Sequence, residues 1–528
     1  MKREDLLAPK YYNIVDEIEK YTEDKAKKAL MIYHENGEIE ELTYINLLEK
    51  ASQAAHVLAN YGLTKGDAII IMVPRSAEAY ITYIAALKLG LIIIPSSEML
   101  RAKDIDYRIT HAGAKAVIAF EPFINEFDHV EHMADVKSFV IGEAHQPWIP
   151  LLKEMENQPQ QFTNNVRTTC QDIAFLAYTS GTTGNPKAAV HTHSWGYAHL
   201  RTTAPNWLGV KSGDLVWATS SPGWQKWIWS PFLATLGSGA TAFVYKGKFT
   251  ADKYLALLQQ FQINVLCCTP TEYRFMAKTN NLSQYNLSAL RQAVSAGEPL
   301  NSEVIDVFKK QFDIQVRDGY GQTENTLLVG TMVGMKTKPG SMGKPTPGNY
   351  VEIVDDFGMP TAIGEVGDIA VHHTTPALFK TYYKDDERTK MQFRNDWYIT
   401  GDRAYKDEDD YFWFEGRSDD VIISSGYTIG PFEVEDALTK HVAVKEAAVV
   451  ASPDETRGHI VKAFIILNDG VSKEDSTLIE KLQNHVKTLT APYKYPRAIE
   501  FVEELPKTSS GKIRRVELRQ RESLFSTN

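Results

Sequence analysis

Cysteine is scarce in this sequence. Its 528 residues contain three, Cys170, Cys267 and Cys268. Two adjacent cysteines cannot easily bridge each other, and no C-x-x-C pair occurs, so the pattern favours neither a disulfide framework nor a zinc site. The sequence therefore indicates a reducing, cytoplasmic setting.

Long apolar runs and basic blocks are also absent. The longest apolar stretch, "ITYIAALKLGLIIIP", is interrupted by Lys88 and Gly90 and is typical of a helix followed by a strand, so we expect no integral membrane association. The first residues, "MKREDLLAPKYY", have no apolar core, and we expect no signal peptide there. The net charge of −10, from 57 basic and 67 acidic residues, disfavours nucleic acid and anionic membranes as partners.

Helical and strand patterns alternate along most of the chain. Apolar residues recur at helical spacing from Leu47 to Tyr61, and the runs "DAIIIMVP" and "LIIIP" are typical of buried strands. This alternation predicts an α/β fold with βαβ-built sheets. From about Gly364, short strands with acidic turns predict a small β-barrel-like part. A compact tail then predicts a small, mobile α+β domain, and we place the domains at 1–418 and 419–528.

The stretch "YTSGTTGNPKAAV", 178–190, suggests a polyphosphate loop. Lys187 lies six residues after Gly181, as the lysine does in a Walker loop. Pro186 and Ala188 stand where that loop needs a glycine and a Mg²⁺-binding hydroxyl, which excludes the Walker geometry. Hydroxyls, glycine amides and one cation still suit the phosphates of ATP, and predicted strands on both sides favour this over a flexible surface turn. The predicted phosphate ligands are Thr179, Ser180, Gly181, Thr182, Thr183, Gly184 and Lys187.

Three further motifs carry chemistry that this loop lacks. In "DGYGQTEN", which we interpret as a glycine-hinged turn, Glu324 offers a hard oxygen for Mg²⁺ and Tyr320 can pack against adenine. In "YITGDR", Asp402 on a tight turn can accept from ribose hydroxyls. In "LPKTSSGKIRR", Lys512 follows a Gly/Ser loop. Taken singly, a solvated turn, a turn former and a basic tail explain these residues as well.

Together the motifs resemble the adenylate-forming superfamily of acyl-CoA synthetases, nonribosomal adenylation domains and luciferases. The resemblance extends from about Tyr44 to Arg515 through "YTSGTTGNPKAAV", "SAGEPL", "YGQTE", "YITGD", "GRSDDVI", "SSGYTIGPFEVE" and "PKTSSGK". The runs "APYKYPR" and "GPFEVE" look most like the medium-chain acyl-CoA synthetases. The resemblance implies an ATP-dependent, AMP-forming ligase that joins a carboxylic acid to CoA, with Mg²⁺ as cofactor and a homodimer as one assembly.

The resemblance also assigns roles to residues of this chain. Lys512 would bridge the acyl carboxylate and the α-phosphate, Thr323 would hold the α-phosphate, and Glu324 would bind Mg²⁺. The small domain would swing about a hinge at Asp419. Further implied ATP contacts are Gly297, Glu298, Pro299, Asp318, Gly319, Tyr320, Gly321, Gln322, Asp402 and Arg417. Implied CoA contacts are Gly426, Tyr427, Arg457, Lys487 and Tyr495.

Thr428 departs from the family pattern. These synthetases commonly read S-G-Y-R or S-G-H-R, whereas this chain reads "SSGYT". A hydroxyl lacks the fixed charge and the bidentate fork of arginine, so the sequence predicts weaker nucleotide or CoA affinity unless Lys487 and Arg457 compensate.

Histidines and tryptophans near the phosphate loop have structural or pocket roles in our interpretation. His191 and His193 lie on one face of a predicted strand without a third ligand, which disfavours a metal site. Among the tryptophans of "PGWQKWIWSPF", we assign Trp227 and Trp229 to core packing and Trp224 to the acyl pocket.

Gly321 bears on the choice of acid. Acetate-activating relatives carry a tryptophan at this position, so the resemblance implies a deeper pocket here, for medium-length or branched acids of about four to ten carbons. Alternatively the glycine merely permits a tight turn. The open alternatives are an acetate- or propionate-specific ligase, an adenylating enzyme that delivers to a carrier protein or another acceptor, and a catalytically silent sensor.

Overall fold

The computed structural model describes residues 1–163, 167–179, 185–424, 427–454, 458–508 and 512–525. Its strands, in chain order, are β1 (Lys28–Tyr33), β2 (Ile39–Thr43), β3 (Ala68–Met72), β4 (Ile92–Pro95), β5 (Ala116–Phe120), β6 (Lys137–Ile141), β7 (Ile149–Pro150), β8 (Ile173–Thr179), β9 (Lys187–Thr192), β10 (Leu215–Ala218), β11 (Thr241–Tyr245), β12 (Val265–Cys268), β13 (Gln292–Ala296), β14 (Val316–Gly321), β15 (Leu327–Gly330), β16 (Lys344–Pro345), β17 (Val351–Val354), β18 (Gly367–His372), β19 (Phe393–Arg394), β20 (Trp397–Lys406), β21 (Phe412–Arg417), β22 (Ile422–Ser424), β23 (Tyr427–Ile429), β24 (Val444–Asp454), β25 (Gly458–Leu467) and β26 (Ala498–Phe501).

The α-helices are α1 (Asp16–Glu19), α2 (Tyr44–Asn60), α3 (Ala77–Leu89), α4 (Ala102–Ala112), α5 (Leu151–Met155), α6 (His193–Thr203), α7 (Gln225–Trp227), α8 (Ala251–Gln260), α9 (Pro270–Ala277), α10 (Ser302–Phe312), α11 (Asp386–Met391), α12 (Pro431–Thr439), α13 (Leu478–Leu489) and α14 (Arg515–Phe525). Short 3₁₀ segments span Arg3–Leu6, Glu121–His129, Leu282–Gln284 and Pro492–Lys494, and π-helical segments span Ala204–Leu208 and Ile228–Ala234.

Two large sheets dominate the N-terminal part. One has the order β7-β6-β5-β3-β4-β8-β9 and is parallel except for the β8–β9 hairpin. The other has the order β16-β15-β14-β13-β12-β10-β11-β1-β2, with a parallel centre from β14 to β1. Their apolar strands are buried, as all five residues of β3 show, because helices cover such sheets. The predicted α/β fold class is confirmed.

Local sequence signals explain the helix ends. In α2, the side chain of Thr43 caps the first turn by accepting from the backbone N–H of Asn46. In α3, Gly90 ends the helix in the left-handed region at a φ of 77°, which favours glycine. The helix α3 is buried on nearly all sides, so its apolar run belongs to the core of a domain.

A smaller β-rich part follows, with the sheet order β17-β18-β20-β19 and β21 paired to β20. The C-terminal part contains the sheets β22-β23 and β24-β25-β26 with α12, α13 and α14. Sequence reasoning found α12 and α13 but missed α14. Its mean hydropathy is low, so periodicity alone gave little sign of it.

The hydrophobic core divides at the point where the two parts meet. Among the described residues, clusters built from the N-terminal part end at Phe412, and clusters of the C-terminal part begin at Ile422. The boundary between 418 and 419 stays a prediction, and this division supports it. Every helix in the described ranges is too short or too polar to cross a membrane.

Candidate active site

Several predicted site residues follow the carboxyl ends of parallel strands. Trp224 lies in the segment after β10, Glu298 after β13, and Thr323 after β14. The strands β10, β12, β13 and β14 run parallel to one another, so these segments meet at one edge of the sheet. Ligands of open α/β sheets bind at this edge.

Lys187 and Glu324 meet at this edge. The Lys187 Nζ lies 3.2 Å from Glu324 Oε1, and Tyr382 joins them because its hydroxyl donates to the same Glu324 oxygen at 2.8 Å. The Lys187 ammonium in turn donates to the Tyr382 oxygen at 2.6 Å and lies over its ring. Sequence reasoning missed Tyr382, since nothing in "KTYYKDD" marks one tyrosine as a site residue.

The phosphate loop is described in part. Ser180, Gly181, Thr182, Thr183 and Gly184 lie outside the described residues. The Thr179 hydroxyl, at the end of β8, is buried and has no hydrogen-bond partner among the described residues. Lys187 begins β9, so both ends of the predicted loop are anchored in the β8–β9 hairpin.

The stretch "DGYGQTEN" is not the glycine-hinged turn that we expected. Asp318 to Gly321 belong to β14, and the turn follows at Thr323 and Glu324. Gly319 serves close packing, because a Cβ there would lie 2.5 Å from the Trp207 ring. Asp318 is buried and accepts from the Gly319 backbone N–H, and its desolvation raises the pKa of the carboxyl to about 7.

The Asp402 carboxylate is held from two sides. The Tyr320 hydroxyl donates to Asp402 Oδ2 at 2.6 Å, and the Gln322 amide donates to the same oxygen at 2.8 Å. Burial raises the pKa of Asp402, while these hydrogen bonds and the Arg417 charge oppose the rise. The expected tight turn is wrong here, because Asp402 lies inside β20, where Gly401 with a φ of 79° accompanies an irregular register.

Arg417 lies opposite Asp402 in the β20–β21 pairing. Its Nε donates to the carboxylate of Asp419 at 2.9 Å, so the predicted ribose contact and the predicted hinge residue touch. Arg519 on α14 lies 3.9 Å from the other oxygen of Asp419.

Lys512 of the C-terminal part reaches this site. The residue is exposed to solvent, yet protein surrounds its ammonium at longer range, and this desolvation lowers the pKa of Lys512. The carboxylates of Glu298 and Asp402 oppose the lowering, whereas Lys226 and Arg417 add to it. These electrostatic partners all belong to the N-terminal part, and Glu298, Asp402 and Arg417 are among the predicted nucleotide contacts.

Lys226 is a second cation that sequence reasoning missed. It follows Trp224, donates to the Ala296 carbonyl at the end of β13, and acts electrostatically on both Asp318 and Lys512. The adjacent Gly297 has a φ of 116° and open space at its Cβ position. Glu298 is tied to α9 by the Thr271 hydroxyl, at 3.3 Å.

The acyl side of the site is closely packed at Gly321. A Cβ on Gly321 would lie 2.1 Å from the Thr326 carbonyl oxygen and 2.9 Å from Trp229 Cη2. Gly321 therefore permits a close backbone approach, which supports the alternative of a glycine that the turn requires. That it opens depth for the acid stays a prediction. Trp229 lies against it, whereas Trp224 is half-buried at the start of α7. Trp227 packs on Tyr80, as the core role predicted.

The predicted CoA contacts are partly described. Gly426, Arg457 and the side chain of Thr428 lie outside the described residues. Tyr427 is exposed and stacks on Tyr493 with ring centroids 4.3 Å apart. Lys487 lies over the ring of Tyr495 at 4.2 Å, which brings these two predicted contacts together on the C-terminal part.

His191 and His193 do not share a strand face, because β9 ends at Thr192 and His193 begins α6. His193 Nδ1 accepts from the Ile14 backbone N–H at 3.1 Å, and burial lowers the pKa of His193 to about 4. His191 Nε2 lies 2.6 Å from the Thr323 carbonyl oxygen. Both contacts are to the backbone, as expected of structural histidines.

Profiles of two families match the chain. The family described as AMP-binding enzyme matches residues 18–383, and the AMP-binding enzyme C-terminal domain matches residues 433–512.

Individual proteins match over nearly the whole length. A protein of Bacillus subtilis (strain 168) named an uncharacterized acyl-CoA ligase, YtcI, is 60% identical over 100% of this chain and 99% of its own length. The mitochondrial acyl-coenzyme A synthetase ACSM3 of Mus musculus is 40% identical over 97% of this chain and 91% of its own. The crystal structure of the anthranilate CoA ligase AuaEII with anthranoyl-AMP has a TM-score of 0.91 and 29% identity, covering 100% of both chains.

Proposed function

The chain belongs to the family of AMP-binding enzymes and is an AMP-forming acyl-CoA ligase, and we propose that it activates a medium-length or branched carboxylic acid of about four to ten carbons. ATP and CoA are its other substrates. In the proposed first step, a carboxylate oxygen attacks the α-phosphorus and the bond to pyrophosphate breaks. In the second, the CoA sulfur attacks the acyl carbon, its proton leaves and AMP departs.

The ion pair of Lys187 with Glu324, together with the electrostatic effect of Glu298 and Asp402 on Lys512, is the observation that supports this proposal. A carboxylate and a triphosphate are both anions, so the first step needs cations where they meet. Lys512 would stabilise the charge that gathers between the acid and the α-phosphate. Lys226 acts electrostatically on Lys512, and we propose that it adds positive charge on the same side.

Glu324 has the chemistry of a Mg²⁺ ligand. It is 7% exposed and offers a hard oxygen, and one or two protein carboxylates are usual for Mg²⁺ bound to ATP. The contacts with Lys187 and Tyr382 both involve Oε1, so Oε2 is the oxygen that we propose for the cation. When bound, Mg²⁺ would neutralise charge on the phosphates that leave.

The nucleoside contacts follow from the same geometry. Asp402 would accept from ribose hydroxyls, with Arg417 beside it, and Tyr320 would present its ring to adenine while its hydroxyl orients Asp402. Thr323 would hold the α-phosphate, and Thr179 has a buried hydroxyl without a partner in the described part of the chain. An orphaned buried hydroxyl costs roughly 1–3 kcal/mol, which a phosphate oxygen would recover.

Thioester formation is proposed to follow a rotation of the C-terminal part about Asp419. We propose that the present arrangement is the one suited to adenylation, because Glu298 and Asp402, two predicted nucleotide contacts, act electrostatically on Lys512. Contacts across the two parts are polar, with the Ser302 hydroxyl donating to Asp436 at 3.2 Å and Lys278 to the Val444 carbonyl at 3.1 Å. Polar contacts of this kind exchange readily with water, which suits a moving domain.

The acid class rests on the resemblance to medium-chain synthetases. Trp229 lies against Gly321, and we propose that its ring forms part of the pocket wall. Each buried methylene offers about 0.8 kcal/mol, so four more methylenes in hexanoate than in acetate give roughly 3 kcal/mol, on the order of a hundredfold in kcat/KM.

A panel of acids with ATP and CoA tests the proposal, with AMP release and thioester mass as readouts. We expect hexanoate to exceed acetate by on the order of a hundredfold in kcat/KM. A preference for acetate would overturn the acid class and leave the ligase activity standing. Pyrophosphate exchange without any thioester would instead favour delivery to a carrier protein.

A further inference from the structure

Four side chains spaced four residues apart in the chain lie along the loop that carries Thr323 and Glu324. They are Lys187, His191, Trp195 and His199, from β9 and the first turns of α6. Lys187 pairs with the Glu324 side chain, as described above. The other three contact the backbone or a hydroxyl of the loop.

Each of the three makes one contact with a successive part of this loop. His191 Nε2 donates to the Thr323 carbonyl at 2.6 Å, and the Trp195 indole N–H donates to the Asn325 carbonyl at 2.9 Å. His199 Nδ1 lies 2.6 Å from the Thr326 hydroxyl. All three side chains are buried. The loop segment 322–326 belongs to neither strand, so its carbonyl groups depend on partners of this kind.

His199 also reaches the acyl side of the site. Its Nε2 lies 3.1 Å from the Trp229 carbonyl, which accepts, so the proton is on Nε2 and the Thr326 hydroxyl donates to Nδ1. One neutral imidazole thus joins the loop to the residue that packs against Gly321.

The rings themselves pack in a continuous row, in which Trp195 and His199 are stacked and the two outer pairs are tilted. The centroid distances are 5.0 Å for His191 and Trp195, 4.9 Å for Trp195 and His199, and 5.3 Å for His199 and Trp229. Such packing restricts the rotamer of each ring, and side chains locked in this way can hold a site to within about 0.5 Å. A misplacement of about 1 Å at reacting groups can cost on the order of a hundredfold in rate.

We propose that His191, Trp195 and His199 are positioning residues for adenylation, which fix the backbone of loop 322–326 so that Thr323 and Glu324 face the nucleotide. His199 additionally fixes Trp229 relative to that loop. This role rests on the proposed function, because it presumes that Thr323 and Glu324 act on ATP. The three residues touch neither substrate nor metal and act through the loop.

Replacement of His191 tests the role directly. His191→Phe keeps the ring volume and removes the donor to Thr323, whereas His191→Gln supplies an amide donor at similar reach. We expect His191→Phe to lower the kcat of acid-dependent ATP–pyrophosphate exchange by about tenfold to a hundredfold and to raise the KM for MgATP. Thioester formation from supplied acyl-AMP should fall less than adenylation does, since the leaving phosphates are already gone and only the α-phosphate that Thr323 would hold remains. His191→Gln should restore most of the exchange rate.

His193 provides a matched control. Like His191, it is a fully buried histidine, and it lies two residues further along the chain. Its ring accepts a hydrogen bond from the Ile14 backbone N–H instead of contacting the loop. His193→Phe should lower the melting temperature as much as His191→Phe does, without changing the ratio of the two half-reaction rates.

His199→Phe tests the contact between His199 and the Trp229 carbonyl separately. We expect it to raise the KM for the acid as well as for MgATP, because it releases Trp229, whereas His191→Phe should leave the KM for the acid unchanged. Equal losses in both half-reactions for His191→Phe, or no recovery in His191→Gln, would overturn the positioning role while wild-type activity upholds the proposed function. A wild-type protein that adenylates no acid would overturn both.

Discussion

Lys187 and Glu324 form an ion pair of 3.2 Å although 137 residues separate them in the chain, and both side chains are largely buried. Lys187 comes from the predicted phosphate loop and Glu324 from the predicted metal site. Without a nucleotide, each charge therefore compensates the other.

Lys187→Met should destabilise the protein in the absence of nucleotide. The substitution leaves the Glu324 carboxylate buried without its cation, and breaking a buried pair in this way typically costs about 3–5 kcal/mol. We expect a lower melting temperature, and the double variant Lys187→Met/Glu324→Gln should recover part of the loss. Additive losses in the double variant would show that the pair contributes nothing to stability.

Lys512→Ala should lower the rate of adenylation by orders of magnitude and largely spare thioester formation from supplied acyl-AMP. The reason is that the Lys512 ammonium, which responds electrostatically to Glu298 and Asp402, is proposed to stabilise charge in the first transition state only. Single-turnover measurements of each half-reaction check this. Comparable loss in both would remove Lys512 from its assigned role.

Asp419→Pro should have the opposite pattern. A fixed φ at the hinge obstructs rotation of the C-terminal part, so adenylation should persist while thioester formation collapses. Because the variant also loses the ion pair with Arg417, Asp419→Ala is the matched control, which removes the carboxylate and keeps the backbone adjustable. If Asp419→Ala fails as badly as Asp419→Pro, the ion pair and not the backbone rotation is responsible.

Gly321→Ala should reduce turnover of acetate and hexanoate alike. The new Cβ would collide with the Thr326 carbonyl at 2.1 Å, which displaces the loop that carries Thr323 and Glu324. Trp229→Leu, in contrast, should shift the preference towards longer or branched acids, since it removes ring volume beside Gly321. Steady-state kcat/KM over a chain-length series distinguishes the two, and a selective loss of hexanoate in Gly321→Ala would contradict this account.

Acid should destabilise the fold through its buried histidines. Burial lowers the pKa of His193 to about 4 and that of His199 to about 3, whereas histidines in the unfolded chain titrate near pH 6.5. Between these values the unfolded state binds more protons, so the free energy of unfolding rises with pH and is fully restored above about pH 6.5.

The free energy of unfolding should therefore fall as the pH is lowered from about 6.5 towards 4, by roughly 1.4 kcal/mol for each pKa unit of each histidine. Melting temperatures across this range measure the effect. Asp318 works in the other direction, since its pKa is raised to about 7, so the comparison of wild type with His193→Gln isolates the histidine contribution. If the dependence of the melting temperature on pH is the same in His193→Gln as in the wild type, His193 does not contribute to the acid destabilisation.

The sequence by itself determined the fold class, and it predicts most of the candidate site residues. Buried apolar strands alternating with helices require βαβ units, and the groups that ATP chemistry needs, such as Lys187, Glu324, Asp402 and Lys512, occur in short motifs whose residue types and spacing are visible locally. Such motifs are local because a turn or loop presents its own side chains to the ligand.

Only the tertiary structure decided which residues complete the site. Tyr382 bonds to Glu324 across 58 residues, and His191 bonds to Thr323 across 132. Trp229 lies against Gly321, although 92 residues separate the two in the chain. These relationships arise from packing between distant segments, and hydrophobic periodicity carries no information on which segments will meet. Cavity shape and long-range hydrogen bonds were therefore beyond what local pattern could predict.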